Sequence, residues 1–387
     1  MKKIKFLMLA MMAVIASTAF IACSSDDDDS ASNYQKYQQA VNQTVNSQKK
    51  NNKVILLVAF GSTWEQAYDT FDQVVADYKS QFTGWDVFLS FSSAICINNA
   101  RAGENVAPKD YYDPEHWLTA IGLAGYKQIV VQSLQVIPGE EYRRVRDSYV
   151  KDFMNNRNSD FTTAYMKSID KQVAVGTPLM AEESDAQKLA QTLNDEPDVK
   201  AAVQQGIVAF MGHGNPVGYD YYGGNVRYLQ LESYLRALNP NYYVGTVDMA
   251  ETYAADVLNH IDGGNFNYSV GAMPVGVNYE KNTSKAAQLF VLMSIAGDHA
   301  HNDMADEEDP ESWFNMLRAA GFKAHAYETN YPKAEACYSK YQEGNEYIPA
   351  LAERSAVRKL WMKHTQDAID AIKNGEGLST PVTENEE

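Results

Sequence analysis

The 387-residue sequence predicts an α/β protein built as two similar doubly wound lobes with parallel sheets and a central cleft. Three observations lead there. Apolar runs of strand length, such as Lys53-Val-Ile-Leu-Leu-Val-Ala-Phe60, are continuous rather than alternating, as strands buried on both faces of a parallel sheet require. Each is followed by a glycine turn and then by apolar residues at helical spacing. The whole pattern starts a second time near Gly206.

The elements follow in order. Residues 30 to 52 are rich in Gln, Asn, Ser and Lys and read as a linker with one short helix over Tyr34 to Val45. Lys53 to Phe60 is the first strand, Gly61-Ser62-Thr63 its turn, and Trp64 to Phe82 a helix carrying Ala67, Phe71, Val74, Val75 and Tyr78 on one face. Strands are expected at Trp85 to Phe91, Gln128 to Leu134 and Gln172 to Val175. Helices are expected at Asp113 to Ala124, from Pro138-Gly139-Glu140-Glu141 onward, and at Glu183 to Leu193. Proline in the first turn and acids at the positive end of the dipole mark the second of these starts.

The second cycle has strands at Gly206 to Met211, Tyr242 to Asp248, Asn267 to Met273 and Phe290 to Ile295. Its helices are Leu229 to Leu238, Ala250 to His260, Glu311 to Ala320 and Tyr347 to Asn374. The separations Gly61 to Gly139 and Gly212 to Gly297, 78 and 85 residues, are close enough to read as one repeat. That repeat sets His213 opposite Ser62 and His299 opposite Glu141. The expected organisation is a leader over 1–22, a tether and linker over 23–52, lobes over 53–200 and 201–373, and a disordered tail over 374–387.

The leader has Lys2, Lys3 and Lys5 before an apolar run from Phe6 to Ala22, the form of a secretory signal. Phe20-Ile-Ala-Cys23 resembles a bacterial lipobox, which makes Cys23 the expected lipidation site. The Ser24 to Asp29 run behind it resembles the export signal of outer-membrane lipoproteins in Bacteroidetes. Fifty acidic against 33 basic residues give a net charge of −17, which excludes a nucleic-acid partner for want of a basic stripe. Beyond Cys23 only Cys96 and Cys337 remain, either a disulfide or two buried thiols.

Chemistry is expected at strand ends, because open α/β sheets bind ligands outside the carboxyl ends of their strands. His213 and His299 stand there beside glycines, and Asp248 holds the equivalent place after Val244-Gly-Thr-Val247. Two imidazoles and a carboxylate suit a borderline divalent metal such as Co²⁺, Fe²⁺, Ni²⁺ or Zn²⁺. The spacing fixes no geometry by itself, and the competing reading is histidines that cap helices or bond backbone. His301 is expected to point away from the site, and His116, His260, His325 and His364 to be solvated. The turn at Phe60 to Thr63 lacks the glycines and lysine of a phosphate loop, and Met211-Gly-His-Gly-Asn215 has no nucleophile at its turn. Tyr219, Tyr221 and Tyr222 could stack on a flat ligand or be ordinary turn residues.

Met-Gly-His-Gly at 211–214, Val-Gly-Thr-Val-Asp at 244–248 and Ala-Gly-Asp-His-Ala-His-Asn-Asp-Met at 296–304 resemble the anaerobic sirohydrochlorin cobaltochelatases. So do Ala-Phe-Gly-Ser-Thr at 59–63 and Val-Gln-Ser-Leu-Gln-Val-Ile-Pro-Gly-Glu-Glu-Tyr at 131–142. The resemblance covers about 53–373. It implies a tetrapyrrole lying between the lobes, with His213, Asp248 and His299 as metal ligands. His213 and Glu141 are then the candidate proton-handling groups, and Ser62, Tyr221 and Tyr222 the candidate macrocycle contacts. Three departures stand out: Asp248 where the family usually has Glu, leaving the position to Asp248 or Glu251; Gln135 where it has His; and an apparent insertion around 275–285. The expected activity is insertion of a divalent metal, Co²⁺ or else Fe²⁺ or Ni²⁺, into sirohydrochlorin, as in anaerobic cobalamin synthesis. The exported location raises an alternative, a haem- or porphyrin-binding lipoprotein for iron acquisition, partnered by an outer-membrane transporter.

Overall fold

The structure, a computed structural model, describes residues 27–103, 107–264, 279–326 and 347–381. The first sheet comprises β1 (Lys53–Ala59), β2 (Asp86–Phe91), β3 (Gln128–Ser133) and β4 (Val173–Gly176), in the order β2-β1-β3-β4. The second comprises β5 (Ile207–Gly212), β6 (Tyr242–Thr246), β7 (Ala286–Leu292) and β8 (Lys323–His325), in the order β6-β5-β7-β8. Every pairing is parallel. Strand for strand the two orders are the same, so the repeat read from the glycine spacing is a repeat of topology.

β1 shows why the apolar runs are continuous. Ile55, Leu57 and Ala59 belong to one buried cluster and Val54, Leu56 and Val58 to another, one on each face of the sheet. Parallel neighbours need crossover connections, and helices supply them. The helices described are α1 (Asp27–Gln48), α2 (Glu65–Gln81), α3 (Ala94–Ala102), α4 (Pro114–Leu123), α5 (Glu140–Arg144), α6 (Thr163–Ile169), α7 (Glu183–Asp195), α8 (Pro197–Gln205), α9 (Val226–Leu238), α10 (Ala254–Ile261), α11 (Trp313–Ala319) and α12 (Ser355–Lys373), of which α1 precedes the first strand and α12 follows the last. α5 runs on through a π-helical turn, Val145–Val150, into Lys151–Met154.

The lobes share one core. The cluster holding Ile55 and Leu57 of β1 also holds Val208 and Phe210 of β5 and Phe290 of β7. Helices exchanged between the halves carry it across: α7 packs on α9, α8 on β5, and α12 returns from the end of the chain to cover β3 and β4. α12 is clamped at its first turn by Arg354, buried, with two 2.7 Å bonds to the Asp198 carboxylate, and by Arg358 at 2.7 Å from Asp77.

Several expectations change. The stretch expected as a linker is a 22-residue helix, α1, docked on α4 with Val41 and Val45 fully buried. Gln38 bonds the His116 carbonyl at 3.0 Å. The tail expected to be disordered from 374 is held as far as Thr380: Leu378 exchanges backbone bonds with Val173 and Lys171, and Thr380 N donates to Asp170. These groups complete the edge of β4, so the polar composition of the tail misled. Helix α12 starts at Ser355 and not at Tyr347, because 347–354 is spent on joining the lobes through Leu351 N to Met293 O and Ala352 N to Ser294 O. The strand expected at Asn267 to Met273, Cys337, and the first part of the apparent insertion, 275–278, lie outside the described residues.

Candidate active site

The carboxyl ends of the two sheets face each other. A Cβ on Gly139 would meet Asn215 Oδ1 at 2.1 Å, one on Gly224 would meet Pro138 O at 2.1 Å, and Ser294 donates to Leu134 O. The loops after β3 and β5 thus lie against each other, and the cleft narrows to side-chain contact there.

His213 sits on the turn after β5, and both neighbouring glycines are required. A Cβ on Gly212 would press into the Tyr228 ring at 2.4 Å. Gly214 has φ +80° and would place a Cβ 2.7 Å from Met249. The adjacent turn is locked to it, with Asp248 N donating to His213 O at 2.9 Å. His213 Nδ1 lies 2.8 Å from the Gly214 carbonyl. A carbonyl only accepts, so the proton is on Nδ1 and Nε2 keeps the lone pair. His299 follows β7 on a π-helical turn, His299–Met304, and its Nδ1 lies 2.6 Å from Asp303 Oδ2. The same argument leaves its Nε2 unprotonated when the ring is neutral. The two rings meet edge to face, 4.8 Å between centroids and 88° apart.

Their electrostatics differ. Although 48% of the His213 side chain is open to solvent, desolvation by the cleft walls and the neighbouring His299 lower its pKa. His299 is 43% exposed; desolvation opposes its charge, but the Asp303 carboxylate outweighs it and the pKa is raised. Asp248 approaches His213 at Nδ1, 3.5 Å away, on the side that bonds Gly214. Its carboxylate therefore backs the ring rather than standing beside Nε2. Among the described residues no three His, Cys, Asp or Glu side chains are grouped so as to hold a metal ion together. The donors the site offers are the two imidazole Nε2 atoms, with the Asp248 carboxylate behind the His213 ring, and imidazole nitrogen suits a borderline divalent ion. Glu251 has a left-handed backbone, φ +69°, in the loop beyond Asp248.

The remaining candidates are distributed around this pair. Glu141, on α5, accepts from Ser92 Oγ at 3.0 Å and pairs with Arg144 at 3.4 Å, so its carboxylate is a fixed, partnered anion. Ser62 is buried and accepts the Trp64 backbone N–H at 3.2 Å, which makes it a turn-holding group at the lobe junction. Tyr221, 47% exposed, carries the Arg143 guanidinium 4.5 Å over its ring. Tyr222 donates to Asp147 and meets Tyr142 edge-on at 5.8 Å. The tyrosine loop therefore bridges from the second lobe to α5 of the first. Gln135, at the position where His was expected by resemblance, is hydrogen-bonded to Ser133.

Four histidines were expected to be solvated, and His325 is. His116 is buried against Asp113 and Tyr34, His260 is stacked 4.0 Å from Tyr279 with its pKa pushed down to about 4 by burial, and His364 bonds Thr177. Helical position alone does not tell a covered face from an exposed one. Asp303 is the residue that sequence reasoning missed; the His299-x-x-x-Asp303 spacing becomes a signal once the helical turn there is known.

The shared core, the opposed sheet ends and the imidazole pair at the cleft floor define a two-lobed α/β protein of the chelatase kind. The family model described as cobalt chelatase (CbiK) matches residues 53–370, and the chain belongs to that family. Among its relatives, the sirohydrochlorin cobaltochelatase CbiKC of Nitratidesulfovibrio vulgaris is 29% identical over 323 residues, 83% of this chain and 92% of that protein. The sirohydrochlorin cobaltochelatase of Salmonella typhimurium is 26% identical over 324 residues, 82% of this chain and 97% of that protein.

Proposed function

We propose that this chain inserts Co²⁺ into sirohydrochlorin held between its lobes. The observation that carries the reading is the pair of imidazoles at the cleft floor, each with Nδ1 engaged and Nε2 left as the donor. His213 and His299 take the ion through Nε2, and Asp248 supplies the carboxylate that offsets its charge. Insertion displaces two pyrrole N–H protons, so the site must hold the metal loosely and accept protons close by. His213, kept neutral, accepts one through Nε2 as the metal leaves it, and the Nε2 of His299 accepts the other. Glu141, ion-paired to Arg144, positions the macrocycle as a fixed charge, and Tyr221 and Tyr222 line the approach on the other lobe.

Purified protein given sirohydrochlorin and Co²⁺ is expected to yield the metallated absorption spectrum, and His213→Ala to abolish that change with far-UV circular dichroism intact. An unchanged rate in the variant overturns the assignment. A Soret shift with haem and no insertion would favour the haem-binding alternative.

We further propose that the chain is exported and anchored by lipid at Cys23, a reading supported by the charged start, the apolar run and the Ala22-Cys23 junction. Mass spectrometry of the cell-purified protein is expected to find an acylated N-terminal cysteine, and Cys23→Ser to release the protein from membranes. An unprocessed N-terminus would refute it.

A further inference from the structure

Trp64 opens α2 on the first lobe, and its side chain crosses to the second. The indole lies flat on the His301 imidazole, 3.6 Å between centroids and 12° from parallel. Its Nε1–H donates to Asp298 Oδ1 at 2.7 Å, a bond strengthened by the carboxylate charge. Asp298 and His301 flank His299 in the chain. Ser62, whose hydroxyl accepts the Trp64 backbone N–H, lies 3.8 Å from the point a Cβ on Gly297 would occupy. The first lobe thus grips the His299 turn at Gly297, Asp298 and His301, while the His299 ring meets His213 and bonds Asp303, both second-lobe groups. His301, expected to be a bystander, is part of that grip.

We propose that Trp64 is a positioning residue for metal insertion, setting the direction of His299 Nε2 through the stack on His301 and the bond to Asp298. It rests on the chelatase reading above. Because the contact joins the lobes, the direction of the imidazole is set by the first lobe as well as by its own. A small misplacement of a reacting group costs up to about a hundredfold in rate without weakening substrate binding.

The test uses Trp64→Ala, which removes stack and donor, and Trp64→Phe, which keeps a flat ring and loses the donor. In Co²⁺ insertion, Trp64→Ala is expected to lower kcat about tenfold or more, with KM for the tetrapyrrole within about twofold, and Trp64→Phe to recover part of the loss. In the metal-free protein the NMR signals of the His299 ring are expected to move in Trp64→Ala. A folded Trp64→Ala with unchanged kcat overturns the proposal, and so does a loss confined to KM. If Trp64→Ala does not fold, Trp64→Phe decides by the same measures. If the wild-type protein inserts no metal, the chelatase reading fails, and the NMR arm alone decides the positioning role: an unmoved His299 ring refutes it.

Discussion

Asp303 and the Gly214 carbonyl perform the same task for two different histidines, and the difference between a carboxylate and a neutral carbonyl separates their titrations. Below its raised pKa, His299 is protonated at Nε2 and cannot take a metal, so insertion is expected to fall as pH drops, with its half-point above the ordinary histidine value of about 6.5. Asp303→Asn should move that acid limb to lower pH and weaken Co²⁺ binding by about 10–100-fold. Titration of the variant followed by cobalt absorbance checks both, and an unshifted limb would show that Asp303 does not govern His299. His213 and His299 were legible in the sequence because glycines beside a strand end announce a side chain at a sheet mouth. Asp303 was not, since its role depends on a helical turn that follows Ala-Gly with no apolar period to announce it. Nor could the sequence show that Glu141 is already partnered by Arg144, a contact between a base and an acid on one short helix.

At the level of elements, the long apolar strands and amphipathic helices were readable, and what escaped was short or covered. β8 has three residues and α8 nine, too few for a period to stand out. α1 lacked a strong apolar stripe because, among its described side chains, only Val41 and Val45 enter the core fully. The segment 347–354 read as helix because its apolar residues serve both lobes. Within it Glu353 is buried, bonded by Tyr347, Gln66 and Thr70, and burial raises its carboxyl to about 8. The folded state therefore binds this proton more tightly than the unfolded chain, whose glutamate titrates near 4.3. The contribution is complete below that value and is lost as pH rises toward 8. Thermal midpoints of Glu353→Gln should fall less between pH 5 and pH 9 than those of the wild type. Parallel curves would count against a protonated Glu353.

For the whole molecule, the doubly wound fold and its duplication followed from strand and turn order, whereas the exchange of helices between halves did not, because no local pattern records which sheet a helix covers. That exchange makes the lobes one cooperative unit. Asp198→Ala would leave the buried Arg354 without its bidentate partner, and should cost about 3 kcal/mol in a single unfolding transition. Two separate transitions in denaturant would contradict the shared core. The return of α12 to the first sheet has a consequence for how the chain is made. β4 emerges from the ribosome 179 residues before the helix that covers it, and β3 earlier still. The first half must therefore wait, part of its sheet uncovered, until Ser355–Lys373 has been made, and nascent chains stopped before Ser355 should be bound by chaperones or aggregate rather than fold halfway.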